Sequence, residues 1–490
     1  MTRPGAALLV AILAGCAAPV TEVMAPVGSA RAPLPTPTAF PTTAPIPGPA
    51  PSLRVPTPVS RTLSNGLTVL YVERPELPAV QATLVSRGGL ADDPSSRPGL
   101  ASFTAGMLDE GAAGKSALEL ADALDLLGAS LSTGAGWDAA QVSLYTLRDR
   151  LPEALGLMAD VVVRPDFPRQ EIDRIREQTL TDLARARDNP GVVADRAFSA
   201  LVFGAEHPYG RLSTTEAIRR ITREQIQRFH GAHYTPGSAT LVLVGEVDAE
   251  TVHPLVERAF GGWTRAAAPT LAALANPSAA APRIILIDKP GAAQSEIRIG
   301  HPGVARSSPD YFPLLVLNTL LGGSFTSRLN QNLRETHGYS YGARSSFAMR
   351  RGAGPFVASA AVVTAKTDSA LIEFFHELNR IRDEPIPAEE LERAKRYVAL
   401  GLPRNLETNP ALASSLADLA VHGLDASFYN SYVDRVMAVT PEEVRRVANL
   451  YVRPAEAMVV VVGDRTTVEA ALRAAGIAPL EVLDAGQFVR

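Results

Sequence analysis

The sequence predicts an α+β protein of two homologous domains, each a mainly antiparallel sheet covered by helices. Three observations carry that expectation. Residues Thr222 to Glu246 align without a gap with Thr440 to Asp464, at a constant offset of 218. Each copy reads as an amphipathic helix, a short turn reaching a proline, and a buried Val/Leu-rich strand ending in glycine and an acid. Strand and helix patterns alternate on both sides of an Ala/Pro-rich stretch, which suits one sheet covered by helices, built twice. The 490 residues are enough for two domains of ordinary size, each with its own core.

Along the chain, residues 1–15 read as a bacterial lipoprotein signal. Met1 to Arg3 is a short basic start, Ala6 to Leu13 is apolar but too short to span a bilayer, and Leu13-Ala14-Gly15-Cys16 fits a lipobox. Cys16 is the sole cysteine, so no disulfide forms within the chain and lipidation is its expected fate. An unmodified secretory signal is the alternative. Acyl chains on Cys16 would hold the protein on a membrane without crossing it. Residues 16–58 are rich in Pro, Ala and Thr with almost no charge, the composition of an extended tether. The first domain is placed at 59–265, the linker at 266–282 and the second domain at 283–490.

Within the first domain, Leu63-Ser-Asn65-Gly66-Leu67 signals a hairpin, with Thr68 to Val72 alternating beyond it and a further strand near Ala79 to Val85. Ser116 and Glu119 form a capping box for a helix whose Leu120, Leu124 and Leu127 share a face. In the second domain, Gly322 and Gly323 suit a tight turn at a helix end. The formal net charge is −4 with both signs interspersed, so no basic stripe argues for nucleic acid. Ser324 in Gly322-Gly323-Ser324-Phe325 lacks the second flanking glycine of a nucleophile elbow. His230 and His233 stand at i, i+3, but the repeat has Ala448 and Tyr451 there, which favours a structural role. His207, in His207-Pro208-Tyr209-Gly210, also reads as structural.

The order LSNGLTVL, SRGGLADDPSSRPGLASFTAGMLDEG, VVVRPDFPRQEIDRIREQTLTDL, HPYGRLSTTEAIRRIT and HYTPGSATLVLVGEVD resembles the N-terminal domain of the pitrilysin-type peptidases, the family of the mitochondrial processing peptidase. LLGGSFTSRLNQNLRETHGYSYGARSS resembles that family's C-terminal domain. The resemblance runs from about residue 58 to the end and implies a processing-peptidase-like metallohydrolase fold. Active members carry an inverted zinc motif, H-x-x-E-H, whose histidines bind the metal while the glutamate activates water. A further acidic ligand follows about 76 residues later in the family. Here the motif falls on Ser102-Phe103-Thr104-Ala105-Gly106. Ser102 replaces the first histidine, Ala105 the general base and Gly106 the second histidine. Asp182 keeps an acid at the downstream ligand position, and Ile175 occupies the other acidic position.

The resemblance also implies roles for Arg334 and Tyr341, which match an Arg and a Tyr that hold the substrate backbone and stabilise the tetrahedral intermediate. From the residues alone, the favoured reading is that Arg334 caps or pairs within a helix and Tyr341 fills a strand. The expectation is a catalytically inactive lipoprotein with no metal of its own. It would serve as the non-catalytic, substrate-binding subunit beside a zinc-bearing homologous peptidase, on the periplasmic face of the outer membrane. Peptide would be bound by strand addition at a sheet edge, as the family binds it. A stand-alone envelope peptide-binding or scaffold lipoprotein is the alternative. Hydrolysis by other chemistry finds no visible base, nucleophile or metal cluster.

Overall fold

Two six-stranded sheets of matching strand order form the frame of the protein. The structure is a computed structural model that describes residues 55–489, apart from 267, 268, 270, 272, 273 and 278–280. The signal segment, Cys16 and the tether up to residue 54 lie outside the described residues. The first sheet is built from β1 (Val59–Thr62), β2 (Thr68–Glu73), β3 (Ala79–Arg87), β4 (Ser130–Ala135), β5 (Ala139–Leu147) and β6 (Ala239–Gly245). The second holds β7 (Arg283–Asp288), β8 (Gln294–Pro302), β9 (Ser340–Phe347), β10 (Pro355–Val363), β11 (Met458–Gly463) and β12 (Leu480–Leu483). Their spatial orders are β1-β2-β6-β3-β5-β4 and β12-β7-β11-β8-β10-β9. Five strands therefore superimpose in order, β2, β6, β3, β5 and β4 onto β7, β11, β8, β10 and β9.

Most pairings are antiparallel, but β2 runs parallel to β6 and β7 parallel to β11 in equivalent places. The halves differ at the outer strand: β1 pairs antiparallel with β2 through the hairpin, whereas β12 joins β7 in parallel. The Asn65-Gly66 turn closes that hairpin, with Gly66 at φ +99° and the Asn65 amide donating to the carbonyls of Phe260 and Trp263 at 2.8 and 3.1 Å.

The repeated segment folds alike in both halves for local reasons. Thr222 caps Arg223–His233 in a capping box with Gln225, and Thr440 caps Pro441–Tyr451 with Glu443. Each helix leads through a short 3-10 turn, Pro236–Ser238 or Pro454–Glu456, into a wholly or largely buried strand. The matched glycine at the strand end answers to close backbone approach. A Cβ on Gly245 would lie 2.1 Å from the Ala79 carbonyl oxygen, and one on Gly463 would lie 2.4 Å from Ser295 Oγ. The predicted Ser116 cap is also present, with Ser116 N donating to Glu119 Oε2 at 2.8 Å and Leu120 buried beneath the helix Ala117–Leu126.

One face of each sheet packs on helices of its own half. The other face is covered in part by a helix from the opposite half. Pro190–Phe203, capped by Asn189, lays Val193, Ala197, Phe198 and Val202 against Ile285, Ile287, Val460 and Val462 of the second sheet. Reciprocally Asn409–Val421, capped by Thr408, sets Leu412, Leu416 and Leu419 in one core with Leu70, Val72, Val242 and Val244 of the first. Small residues keep the approach close: the Gly300 position leaves room for Phe198 Cζ, 3.0 Å from where a Cβ would sit. The described residues accordingly form one compact unit, whose two halves interlock.

This exchange makes the stability of each sheet depend on the other half. Leu416→Ala removes a fully buried side chain and is expected to cost about 2–5 kcal/mol. In hydrogen exchange, the loss of protection should appear at Val242 and Val244 in the first sheet. Retained protection there, with losses confined to the second half, would show that the halves are energetically separate.

Candidate functional site

Ser102-Phe103-Thr104-Ala105-Gly106, the expected place of the zinc motif, lies on a short helix, Leu100–Ala105, that starts from Gly99 at φ +99°. Asp93 initiates it: its carboxylate accepts from Gly99 N at 2.6 Å and from Ala101 N at 2.7 Å, satisfying donors that a helix start leaves unpaired. Gly106 is the C-cap, with its N–H on the Ser102 carbonyl at 3.0 Å. Ser102 is exposed, Ala105 is fully buried and Gly106 is half-buried. None of the three brings an imidazole or a carboxylate to this helix. A hydroxyl, a methyl and a bare backbone stand where two imidazoles and a carboxylate are needed.

Asp182 sits on the helix Arg169–Ala186, largely exposed and 3.8 Å from Arg185. Arg174 of the same helix pairs with Glu110 just beyond the motif and with Glu171. Ile175 packs against the core of the first half. No set of three His, Cys, Asp or Glu side chains converges among the described residues. His230 Nε2 meets the Val162 carbonyl oxygen at 2.8 Å and its ring stacks on Tyr234, while His233 lies against Phe229. The donor set does not fit zinc.

Ser102 opens onto a cleft of about 450 Å³ between the halves, whose walls include Asp93, Arg211, Trp137 and Arg350. Arg350 lies over the rings of Trp137 and Tyr209, at 4.1 and 4.6 Å, and burial pulls its guanidinium down to about 10. The fully buried Tyr209 donates to Asp138 Oδ1 at 3.0 Å and accepts from Gly352 N at 3.1 Å. Asp138 Oδ2 in turn accepts from Arg351 N at 2.7 Å. The His207-Pro208-Tyr209-Gly210 motif therefore serves as a clasp between the halves.

Arg334 and Tyr341 stand on the second half. Arg334 belongs to a π-helical turn, Gln331–Thr336, with its guanidinium 4.6 Å from the centre of the exposed Phe325 ring and 3.3 Å from Glu335. Asn332 pins this turn through Glu373 and Glu377 at 2.8 and 3.0 Å. Tyr341 is 89% exposed, thrown outward at an irregularity in β9 between Ser340 and Ala343. Gly322 and Gly323 do close the helix Tyr311–Leu321, both N–H groups donating to the Asn318 carbonyl. A Cβ on Gly322 would lie 2.2 Å from Ser345 N. No described hydrogen bond or ion pair joins Arg334 or Tyr341 to Ser102–Gly106.

The two sheets end in equivalent edge strands, β4 and β9, that differ chemically. On β9 three N–H groups are already taken: Gly342 by Ser340 Oγ at 2.9 Å, Ala343 by Asn330 Oδ1 at 3.3 Å and Ser345 by the Gly322 carbonyl at 3.2 Å. β4 pairs with β5 alone, and none of the described hydrogen bonds reaches its backbone from the outer side. Sequence reasoning missed Asp93 and Asn330, because both act through backbone donors many residues away.

Comparison with known proteins fits this frame. The family described as Insulinase (Peptidase family M16) matches residues 68–210, and Peptidase M16 inactive domain matches residues 220–398. The chain belongs to peptidase family M16. It is 26% identical over 394 residues to an uncharacterized zinc protease of Streptomyces coelicolor, covering 79% of this chain and 85% of the relative. It is 28% identical over 395 residues to one of Mycobacterium tuberculosis, covering 79% and 89%. A crystal structure of a peptidase M16 inactive domain from Pseudomonas fluorescens aligns with a TM-score of 0.78 at 27% identity, covering 83% of this chain and 98% of that one. No H-x-x-E-H occurs in the sequence of this chain.

The capping carboxylate of the helix Leu100–Ala105 gives a pH signature. Burial pushes Asp93 up to about 7, against the pull of the Gly99 and Ala101 N–H groups and with Asp92 adding to the rise. An unfolded aspartate titrates near ~3.9. Between those values the folded state holds a proton the unfolded chain has released, so this contribution to stability falls as pH rises from about 4 to about 7, then levels. Asp93→Asn should remove that slope, seen as a wild-type-minus-variant difference in urea unfolding free energy that changes across this window and is flat above it. A constant difference would show that Asp93 is ionised throughout.

Proposed function

We propose that this protein is the non-catalytic, peptide-binding subunit of a two-subunit zinc endopeptidase. In this reading it is held on the periplasmic side of the outer membrane through lipidated Cys16. One observation carries it: the helix that bears the metal-binding and base residues in active members is folded and properly capped, but presents Ser102, Ala105 and Gly106. A fold kept around an emptied centre is what a partner subunit needs. The zinc belongs to the homologous subunit, and no catalytic step is assigned to this chain.

What this chain retains supports substrate binding. Arg334 presents a forked donor suited to a peptide carbonyl, and Tyr341 offers an exposed phenol. An extended peptide adds to the open side of β4, where main-chain hydrogen bonds supply affinity and side pockets supply preference. β9 is the less open edge, since Asn330, Gly322 and Ser340 occupy three of its N–H groups. The tether up to residue 58 gives reach between membrane and body.

The deciding experiment measures zinc content and peptidase turnover of residues 58–490, alone and mixed with the zinc-motif homologue from the same genome. The expected result is no zinc and no turnover alone, with the homologue's turnover rising on mixing. Stoichiometric zinc with chelator-sensitive cleavage by this chain alone would overturn the reading of Ser102, Ala105 and Gly106. Inertness in both conditions would favour a stand-alone scaffold lipoprotein.

Arg334→Ala gives a second test. The guanidinium is part-exposed and makes no core contact, so folding is expected to be unaffected. Losing a charged hydrogen bond to substrate should weaken peptide capture by the complex about tenfold or more, taking ~1.5–3 kcal/mol per such bond. Unchanged KM and turnover would remove Arg334 from the substrate site.

A further inference from the structure

A second concavity, of about 810 Å³, lies at the end of the open edge strand and is separate from Ser102, Arg334 and Tyr341. It begins at Ser130, the first residue of β4, and at Tyr145, the residue that Ser130 faces on β5. Its far wall is the start of the helix Asn409–Val421, so both halves build it. We propose that this concavity is a side-chain subsite for an apolar or aromatic residue of an extended peptide paired along Ser130–Ala135. This rests on the peptide-binding reading above and adds the class of side chain selected.

The lining decides the chemistry. Four of its polar side chains spend hydrogen bonds on the protein itself. Gln81 donates to Thr83 Oγ1 at 3.0 Å, Asn409 to the Ala79 carbonyl at 3.4 Å, and Arg74 to the Glu407 carbonyl at 2.7 Å. Thr408 accepts from Ala411 N at 3.3 Å. Beside the exposed Glu76, Glu407 and Ser130, the lining presents apolar surface at Leu77, 60% exposed, and Tyr145, 38% exposed, and Leu147, 48% exposed, follows on the same face of β5. Single exposed apolar residues need no explanation. Here two line a concave site that continues an unpaired strand edge, with a third beside them, which marks a place that a partner covers.

The occupant follows from that continuity. A peptide strand on the outer side of β4 would bring alternate side chains over the sheet face that carries Tyr145 and Leu147. The side chain level with Ser130 then enters the concavity. Glu76 and Glu407 line it as well, and both are exposed, so an acidic side chain is disfavoured there. The size lies within the range of sites that enclose small ligands, roughly 300–1,000 Å³.

The test is direct binding, by fluorescence anisotropy, of short labelled peptides of Thr and Ser carrying one Phe, Ala or Glu at the same position. The protein is used both alone and with the zinc-motif homologue. Burying one such side chain corresponds to about tenfold or more in affinity, so the expected order is Phe over Ala by about that factor, with Glu weakest. Leu77→Ser and Tyr145→Ser alter exposed positions and should abolish the Phe preference while leaving the Ala peptide unchanged. Arg334→Ala should weaken all three peptides alike. A Phe preference that survives both Ser substitutions overturns the subsite and leaves peptide binding standing. Absence of binding by any peptide, alone or in the mixture, overturns both.

Discussion

The reciprocal exchange of one helix between the halves is the constraint on which the rest of this structure depends. Each sheet carries buried apolar residues on both faces of its inner strands, and local helices cover only one of those faces. Val193, Ala197 and Phe198 complete the second sheet, and Leu412 and Leu416 complete the first. Buried apolar surface is the dominant favourable term in folding, so neither sheet reaches its full stability without the other half. Everything placed between the halves, including the Tyr209–Asp138–Arg351 clasp and the cleft beside Ser102, inherits its geometry from that exchange.

Much of the frame was legible in the sequence because it rests on short-range rules. The capping boxes at Thr222, Thr440 and Ser116 span three residues, and the Asn65-Gly66 turn spans two. The offset of 218 carried the equivalence of β6 and β11. What escaped was partner choice at long range. Asn189-Pro190 and Asn409-Pro410 announce two helices, but nothing local says that each will lie on the other half's sheet. The divergence between β1 and β12 at the outer strand was hidden for the same reason, since strand neighbours are set across the fold.

The candidate site divides in the same way. Ser102, Ala105, Gly106 and Asp182 were found by position within a known motif order, and their poverty as ligands follows from side-chain chemistry alone. Their surroundings did not follow. Asp93 reaches the backbone six and eight residues ahead, and Asn330 reaches thirteen. Neither spacing has a periodic signature. The contrast between the two edge strands depends on these bonds, because a duplicated fold starts with two equal edges and one has been partly closed by a single amide, a serine hydroxyl and a glycine carbonyl.

The exchange of helices also has a meaning in time. Synthesis delivers the first sheet long before Asn409–Val421 exists, so the nascent N-terminal half carries Leu70, Val72, Val242 and Val244 with one apolar face uncovered. A chain in that condition cannot close its core until nearly all of it has emerged. Until then, whatever meets the growing chain meets it with an apolar sheet face still open.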